Sequence, residues 1–188
     1  MKNSDITYCR ATSDEELHQI LKLQKQNLPN ELSEFEKQKE GFLTVVHTFD
    51  ILKQMNECCP HVIATHNENV VGYALCMHQK FADEIEVLKP MFVEINKIIS
   101  GSSRYIIMGQ VCVDKAYRKK GMFRGLYSFM QSELHESFDS IITEVDGANV
   151  RSLNAHLSVG FKIIKEYKEN NKNWKIISLN CRTHKNFR

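Results

Sequence analysis

The run from Tyr105 to Val113, YIIMGQVCV, constrains this chain more than any other stretch of it. Nine nearly unbroken apolar residues, rich in Ile, Val and Tyr, suit a strand buried on both faces, which belongs in the middle of a sheet covered by helices. A basic, glycine-bearing turn, DKAYRKKGMFRG, follows at once, and then Met122, Leu126, Phe129, Met130 and Leu134 recur at the spacing of a core-facing helical stripe. Strand, glycine turn and helix in that order bring unpaired backbone N–H groups of a helix start beside a strand end. Such a turn accepts phosphate.

The remainder reads as mixed α/β. Ile6 to Arg10 is a first strand, and Ser13 with Glu16 forms a capping box before Leu17, Ile20, Leu21, Gln24 and Leu28, a helix that stops before Pro29. Residues 30 to 41 are polar, Phe42 to Val46 fits neither a strand nor a helix template clearly, and Thr48 to Asn56 reads as a short helix. HVIATH and VVGYALCMH flank Asn67, Glu68 and Asn69 as a hairpin. Pro90 opens a helix carrying Met91, Ile95, Ile98 and Ile99. After the basic turn come the strand SIITEV, the helix NVRSLNAHLSVG ending at Gly160, and a hairpin of FKIIKEY and WKIISLNC around ENNKN. Three prolines and no repeat or low-complexity tract leave one domain over residues 1–188.

Charge and cysteine usage exclude several functions. With 25 Lys+Arg against 23 Asp+Glu, the net charge of +2 argues against nucleic acid as a partner. An RNA-binding reading rests on KAYRKKGMFRG alone, where Tyr117 and Phe123 sit among basic residues without a paired aromatic platform. No apolar run approaches the roughly 20 residues that span a bilayer, and the first residues carry no leader pattern, so no membrane association and a cytoplasmic location are expected. Six cysteines, Cys9, Cys58, Cys59, Cys76, Cys112 and Cys181, read as reduced thiols. Cys58 and Cys59 near His61 and His66 lack a second CxxC or HxxxH, so no metal is expected.

Within Arg118 to Gly125, Gly121 admits a close backbone approach, and Arg118, Lys119, Lys120 and Arg124 add charge-assisted donors for a pyrophosphate. Neither GxxxxGK[ST] nor GxGxxG is present, which disfavours nucleotide-hydrolysing and dinucleotide-binding loops. The flanks extend the pattern: Val111, Val113, Asp114, Arg118 and Gly121, then Asn149, Ser152, His156, Gly160 and Phe161. With these residues, over roughly 104 to 162, the chain resembles the GCN5-related N-acetyltransferase (GNAT) family. The resemblance implies a single α/β (α+β) domain whose mixed, mostly antiparallel sheet of about seven strands is flanked by helices and splayed in the middle to admit acetyl-CoA. It also implies acetyl-CoA as acetyl donor, contacted by Val111, Cys112, Val113, Arg118, Lys119, Lys120, Gly121, Met122, Phe123, Arg124 and Asn149. Two positions depart from the family: Phe123 stands where Gly or Ala is usual, and His156 where Tyr is common. Cys112 alternates with the two valines and is expected to turn its thiol into the core, with no catalytic role.

The chemistry defines three roles. An alkyl amine has a pKa of roughly 10, so a base must take its proton, a donor must stabilise the developing oxyanion, and the departing thiolate needs a proton or a partner. Glu144, five residues before Asn149, is the candidate base, because some protein-N-terminus acetyltransferases of the resembled family carry a functional glutamate at that offset. His156, with an ordinary pKa near 6.5, is the candidate acid. The resemblance implies a main-chain amide around Val111 to Val113 for the oxyanion, and adds a pantetheine contact to the N-cap role of Asn149. The resemblance places the acceptor pocket between the first two strands and the last hairpin, roughly residues 28 to 58 and 165 to 175. Trp174 reads as a packed strand aromatic, and His47 with Asp50 could face the substrate, although such residues more often lie in a loop. The expected activity is acetyl transfer to a primary amine of a small molecule or peptide by direct attack in a ternary complex, by a monomer or homodimer. The alternative is an acyl-CoA-binding sensor or a degenerate acetyltransferase.

Overall fold

The computed structural model describes residues 6–28 and 46–182. In chain order the elements are β1 (Thr7–Arg10), α1 (Asp14–Lys25), α2 (Phe49–Cys58), β2 (Val62–His66), β3 (Asn69–Met77), α3 (Lys89–Ile98), β4 (Tyr105–Val113), α4 (Met122–Leu134), β5 (Ser140–Asp146), α5 (Val150–Val159), β6 (Lys162–Glu169) and β7 (Lys172–Asn180). The expected polar segment 30 to 41, and the Phe42 to Val46 run except for its last residue, lie outside the described residues.

Local chemistry sets the element boundaries. Ser13 Oγ accepts the Glu16 N–H while Glu16 Oε2 accepts the Ser13 N–H at 2.9 Å, the reciprocal capping box that starts α1. Thr48 caps α2 through the Ile51 N–H, and Asn149 caps α5 through the Ser152 N–H. Both hairpin turns place two consecutive residues at positive φ, Asn67 with Glu68 and Asn170 with Asn171, the twist that matches flanking strands.

The seven strands form one sheet in the order β1-β2-β3-β4-β5-β7-β6, antiparallel throughout except for the parallel pair β4 and β5. This is the mixed, mostly antiparallel architecture that the sequence implied. Two irregularities in β4 matter for function. Ala74 and Cys76 of β3 are partnered by Val111 and Met108, three residues apart, so β4 carries one extra residue around Gly109. On its other side β4 pairs with β5 only from Tyr105 to Ile107, and beyond that point the two strands diverge.

Two apolar layers enclose the sheet. Leu17, Ile20, Leu52, Met55, Met91 and Ile95 of α1, α2 and α3 pack on one face with Tyr73 and Ile107. Met122, Leu126, Tyr127 and Met130 of α4 pack on the other with Ile106, Met108, Ile141 and Ile177. The helical faces differ slightly from the sequence reading. In α3, Phe92 is buried while Ile98 in the last turn is 39% exposed, because the helix ends there and turns that side outward. In α1, Leu23 is buried and Leu21 only partly so. Among the described residues, no helix is long and apolar enough to cross a membrane, and no three His, Cys, Asp or Glu side chains converge as metal ligands.

Candidate functional site

The gap between β4 and β5 is the centre of the site. The Asp114 N–H donates to Val71 O of β3 at 2.9 Å. Backbone groups alternate sides along a strand, so the N–H and C=O of Val113 and Val111 point away from β3, into the gap. The Val113 carbonyl agrees, since it accepts the Arg118 Nε–H at 3.0 Å. Val111 thus turns a backbone N–H toward a region where β5 supplies no ladder partner.

At the end of β4 a turn leads into α4. Lys119 and Gly121 both have positive φ, and Gly121 at 81° is the N-cap of α4. A Cβ there would meet nothing within 4 Å, so glycine is required by the backbone angle and not by space. No side chain caps this helix start, and the first backbone bond across it is from the Gly125 N–H to Gly121 O at 3.0 Å. The N–H groups of the first turn therefore converge as a partial positive charge.

A groove of about 240 Å³ runs from this turn along β4, lined by Val111, Cys112, Val113, Arg118, Lys119, Gly121, Met122, Phe123 and Asn149. All nine were expected from the sequence as donor contacts, and the fold brings them to one groove. Arg118 also pins the turn: its Nη2 donates to Asn27 Oδ1 at 2.6 Å, tying the turn to the segment just past α1. Two expected contacts are engaged elsewhere. Lys120 lies with Nζ 5.3 Å from the Tyr117 ring centroid, and Arg124 donates to the Ser158 carbonyl at 2.9 Å, tying α4 to α5; neither lines the groove. Cys112 turns its side chain to the opposite, α1 face, where burial pushes the thiol up to about 12.

Further in, a smaller chamber of about 90 Å³ occupies the divergence itself, lined by Gly109, Gln110, Glu144, His156 and Trp174 among others. Val111, Asn149 and Ser152 line both spaces and form the neck between them. Glu144 stands on β5 with its Oε2 accepting the Tyr167 hydroxyl at 2.5 Å. Burial raises the Glu144 carboxyl to about 7, and the Tyr167 hydrogen bond opposes that rise only partly. Leu88, Met91, Ile107 and Trp174 form an adjoining apolar recess beside it. Trp174 is therefore a wall of the chamber and not only a packed strand aromatic.

His156 is 2% exposed, wedged between the ring edges of Phe123, Tyr127 and Phe161 at 5.0 to 5.5 Å. Its Nδ1 lies 2.7 Å from the Ser152 carbonyl oxygen, which only accepts, so Nδ1 carries the ring proton. Nε2, 2.7 Å from the Tyr127 hydroxyl, is then the acceptor. Burial holds the imidazole at about 4, neutral at pH 7. The expected role as proton donor does not suit this geometry, because the only ring proton is already bound to a carbonyl. Phe123, the bulky residue of the turn, is one wall of this aromatic box.

Asn149 Oδ1 accepts the Ser152 N–H at 3.2 Å, which leaves its amide nitrogen without a partner among the described residues and beside the neck. Behind the chamber, Gln110 Oε1 accepts from Tyr73 Oη and from Gln24 Nε2, both at 2.7 Å, and Gln24 reaches His47 Nδ1 at 2.8 Å. His47, read from the sequence as a loop residue, is thus a buried member of a polar chain, held at about 4 by desolvation.

The sequence reading missed Asn27, Tyr117, Arg151 and Ala155 in the groove wall. Ser152 and Ala155 are three residues apart on the face of α5 that starts at Asn149, a spacing that extends the wall along the helix. Asn27 had no local signal, since only the fold brings it to Arg118.

A sequence model of the Acetyltransferase (GNAT) family matches residues 16–161. No curated protein matches the chain by sequence. Among solved structures, one chain of the NatC complex bound to Gag peptide and CoA superposes with a TM-score of 0.64 at 17% identity, covering 94% of this chain and 98% of that one. The ribosomal-protein-S18-alanine N-acetyltransferase from Escherichia coli gives 0.62 at 12% identity, with 98% and 99% covered. The structure of yncA from Salmonella typhimurium with its cofactor acetyl-CoA gives 0.63 at 15% identity, with 96% of each covered. A splayed β4 and β5 pair, an uncapped helix start after the central strand and a family match spanning most of the chain lead to one conclusion: this chain belongs to the GNAT acetyltransferase family.

Proposed function

We propose that this chain transfers an acetyl group from acetyl-CoA to a primary amine of a small molecule or peptide, by direct attack in a ternary complex. The observation that carries the reading is Glu144, a carboxyl raised to about 7 at the inner end of a slot whose neck presents the Val111 N–H. Acetyl-CoA supplies an acetyl group activated as a thioester. The first-turn N–H groups of α4, with the side chain of Lys119, hold its diphosphate. The free amide of Asn149 donates to a pantetheine carbonyl. The Val111 N–H faces the thioester oxygen and stabilises the charge that develops there when the amine adds.

Glu144 takes the proton from the ammonium form of the acceptor, directly or through one water. A base with a pKa near the working pH combines a useful ionised fraction with real proton affinity. The recess of Leu88, Met91 and Trp174 receives the carbon chain next to the amine. Calorimetric titration with acetyl-CoA, followed by free-thiol release against a panel of amines, tests the assignment. Absence of binding at about millimolar ligand, near −4 kcal/mol, would sink it.

A second reading, an acyl-CoA sensor or degenerate acetyltransferase, draws on the sealed environment of His156, whose nitrogens are both occupied within the protein. Saturable CoA binding without thiol release from any amine would favour it.

A further inference from the structure

The neck between the two chambers carries one hydroxyl, that of Ser152. Its hydrogen-bonding state follows from its neighbours. The Ser152 N–H goes to Asn149 Oδ1, and its carbonyl accepts the His156 Nδ1–H at 2.7 Å. The Ser152 Oγ lies 3.4 Å from that same Nδ1. Because Nδ1 holds the proton, any interaction there makes Oγ the acceptor. The hydroxyl keeps its own proton, and Oγ has no other partner among the described residues.

We propose that the Ser152 O–H donates a hydrogen bond to the sulfur that leaves the acetyl thioester, with His156 as a positioning residue behind it. The inference rests on the acetyl-transfer reading above. In that reading the diphosphate lies at the α4 end of the groove and the base lies in the inner chamber. The thioester joins the two, so its reacting atoms lie at the level of Val111, Asn149 and Ser152.

The step balances as follows. The ammonium gives one proton to Glu144, the nitrogen lone pair forms the C–N bond, and a second N–H proton passes to water. The C–S bond breaks with its electron pair on sulfur. A serine hydroxyl is too weak an acid to surrender its proton outright, so Ser152 stabilises the thiolate as a donor, and water protonates the sulfur on release. One proton remains on the amide product. Tyr127 fixes the arrangement, since its hydroxyl occupies Nε2 and thereby keeps the proton on the nitrogen facing Ser152.

The test reads the thiol and not only turnover. CoA bound to the protein is titrated with pH and its thiolate followed by ultraviolet absorbance. The bound thiol is expected to ionise about one pH unit below free CoA, and Ser152→Ala to return it to the free value, with Ser152→Thr retaining the shift. Turnover by Ser152→Ala falls about tenfold or more while the KM for acetyl-CoA changes less than about twofold. Equal thiol pKa values in bound wild type and Ser152→Ala would overturn the role of Ser152 and leave the acetyl-transfer reading standing. Failure of wild-type protein to bind CoA would overturn both.

Discussion

Tyr167 on β6 reaches past β7 to set its hydroxyl 2.5 Å from Glu144 Oε2 on β5. The contact favours the carboxylate, while burial disfavours it by a larger margin and leaves Glu144 at about 7. The kcat/KM for amine is therefore expected to rise with pH through an apparent pKa near 7. Tyr167→Phe removes the opposing bond and should move that limb to higher pH, and Glu144→Gln should lower turnover by about a hundredfold. A limb that stays in place in both variants would exclude Glu144 as the titrating base.

The same carboxyl links stability to pH. Its folded pKa lies above its ordinary 4.5, so the folded state binds the proton more tightly than the unfolded chain. That contribution is complete below pH 4.5 and is lost as pH rises through about 7. Glu144→Gln, which stays neutral, should then be more stable than wild type at pH 8 by up to about 3 kcal/mol and show little difference at pH 4. Calorimetric melts at the two pH values compare them directly.

Three buried imidazoles act in the opposite sense. Desolvation holds His47 at about 4, His61 at about 3 and His156 at about 4, all below the ordinary 6.5. Stability they contribute is present above pH 6.5 and disappears as pH falls toward the folded values, because the unfolded chain takes up protons first. Acid unfolding followed by circular dichroism should start near pH 6 and be shifted to lower pH by a histidine replacement that preserves the local hydrogen bonds.

The Tyr127 and His156 pair can be weighed by a double-mutant cycle. His156→Leu strands the fully buried Tyr127 hydroxyl and should cost about 1–3 kcal/mol beyond the packing change. Adding Tyr127→Phe removes the stranded group, so the double variant should recover about 1 kcal/mol in urea unfolding.

Arg118 and Arg124 separate the groove from its surroundings. Arg118 holds the turn to Val113 and Asn27, and Arg118→Ala should weaken acetyl-CoA binding about tenfold. Arg124 serves the α4 to α5 contact, and Arg124→Ala should change the affinity less than about twofold while lowering the melting temperature slightly. Isothermal titration distinguishes the two.

Much of this was readable in the chain because it depends on near neighbours. The central strand, the turn at Gly121, the caps at Ser13 and Asn149 and both hairpins follow from spacing within about a dozen residues. Glu144 came from the resemblance to the GNAT family, some of whose members carry a glutamate five residues before the position matched by Asn149. What stayed hidden depends on pairing between distant segments: Asn27 against Arg118, Tyr167 against Glu144, and the Gln24, His47 and Gln110 chain. His156 was misread for a similar reason. Its identity suggested an acid, and only the approach of Tyr127 from another helix fixed which nitrogen holds the proton.

The extra residue near Gly109 also inverts the parity of β4. Before it, the odd-numbered Tyr105 and Ile107 face the α1 layer; after it, the even-numbered Gln110 and Cys112 do. Deleting Gly109 would close the ladder to a regular alternation and leave Gln110 and Cys112 on the α1 face, because Met108 and Val111 already pair with Cys76 and Ala74, two residues apart on β3. What it would take away is the local bend and added twist that one unpaired residue gives the strand just where it parts from β5. Inside-out order is set by register against β3, and the aperture by the single residue that β3 does not match.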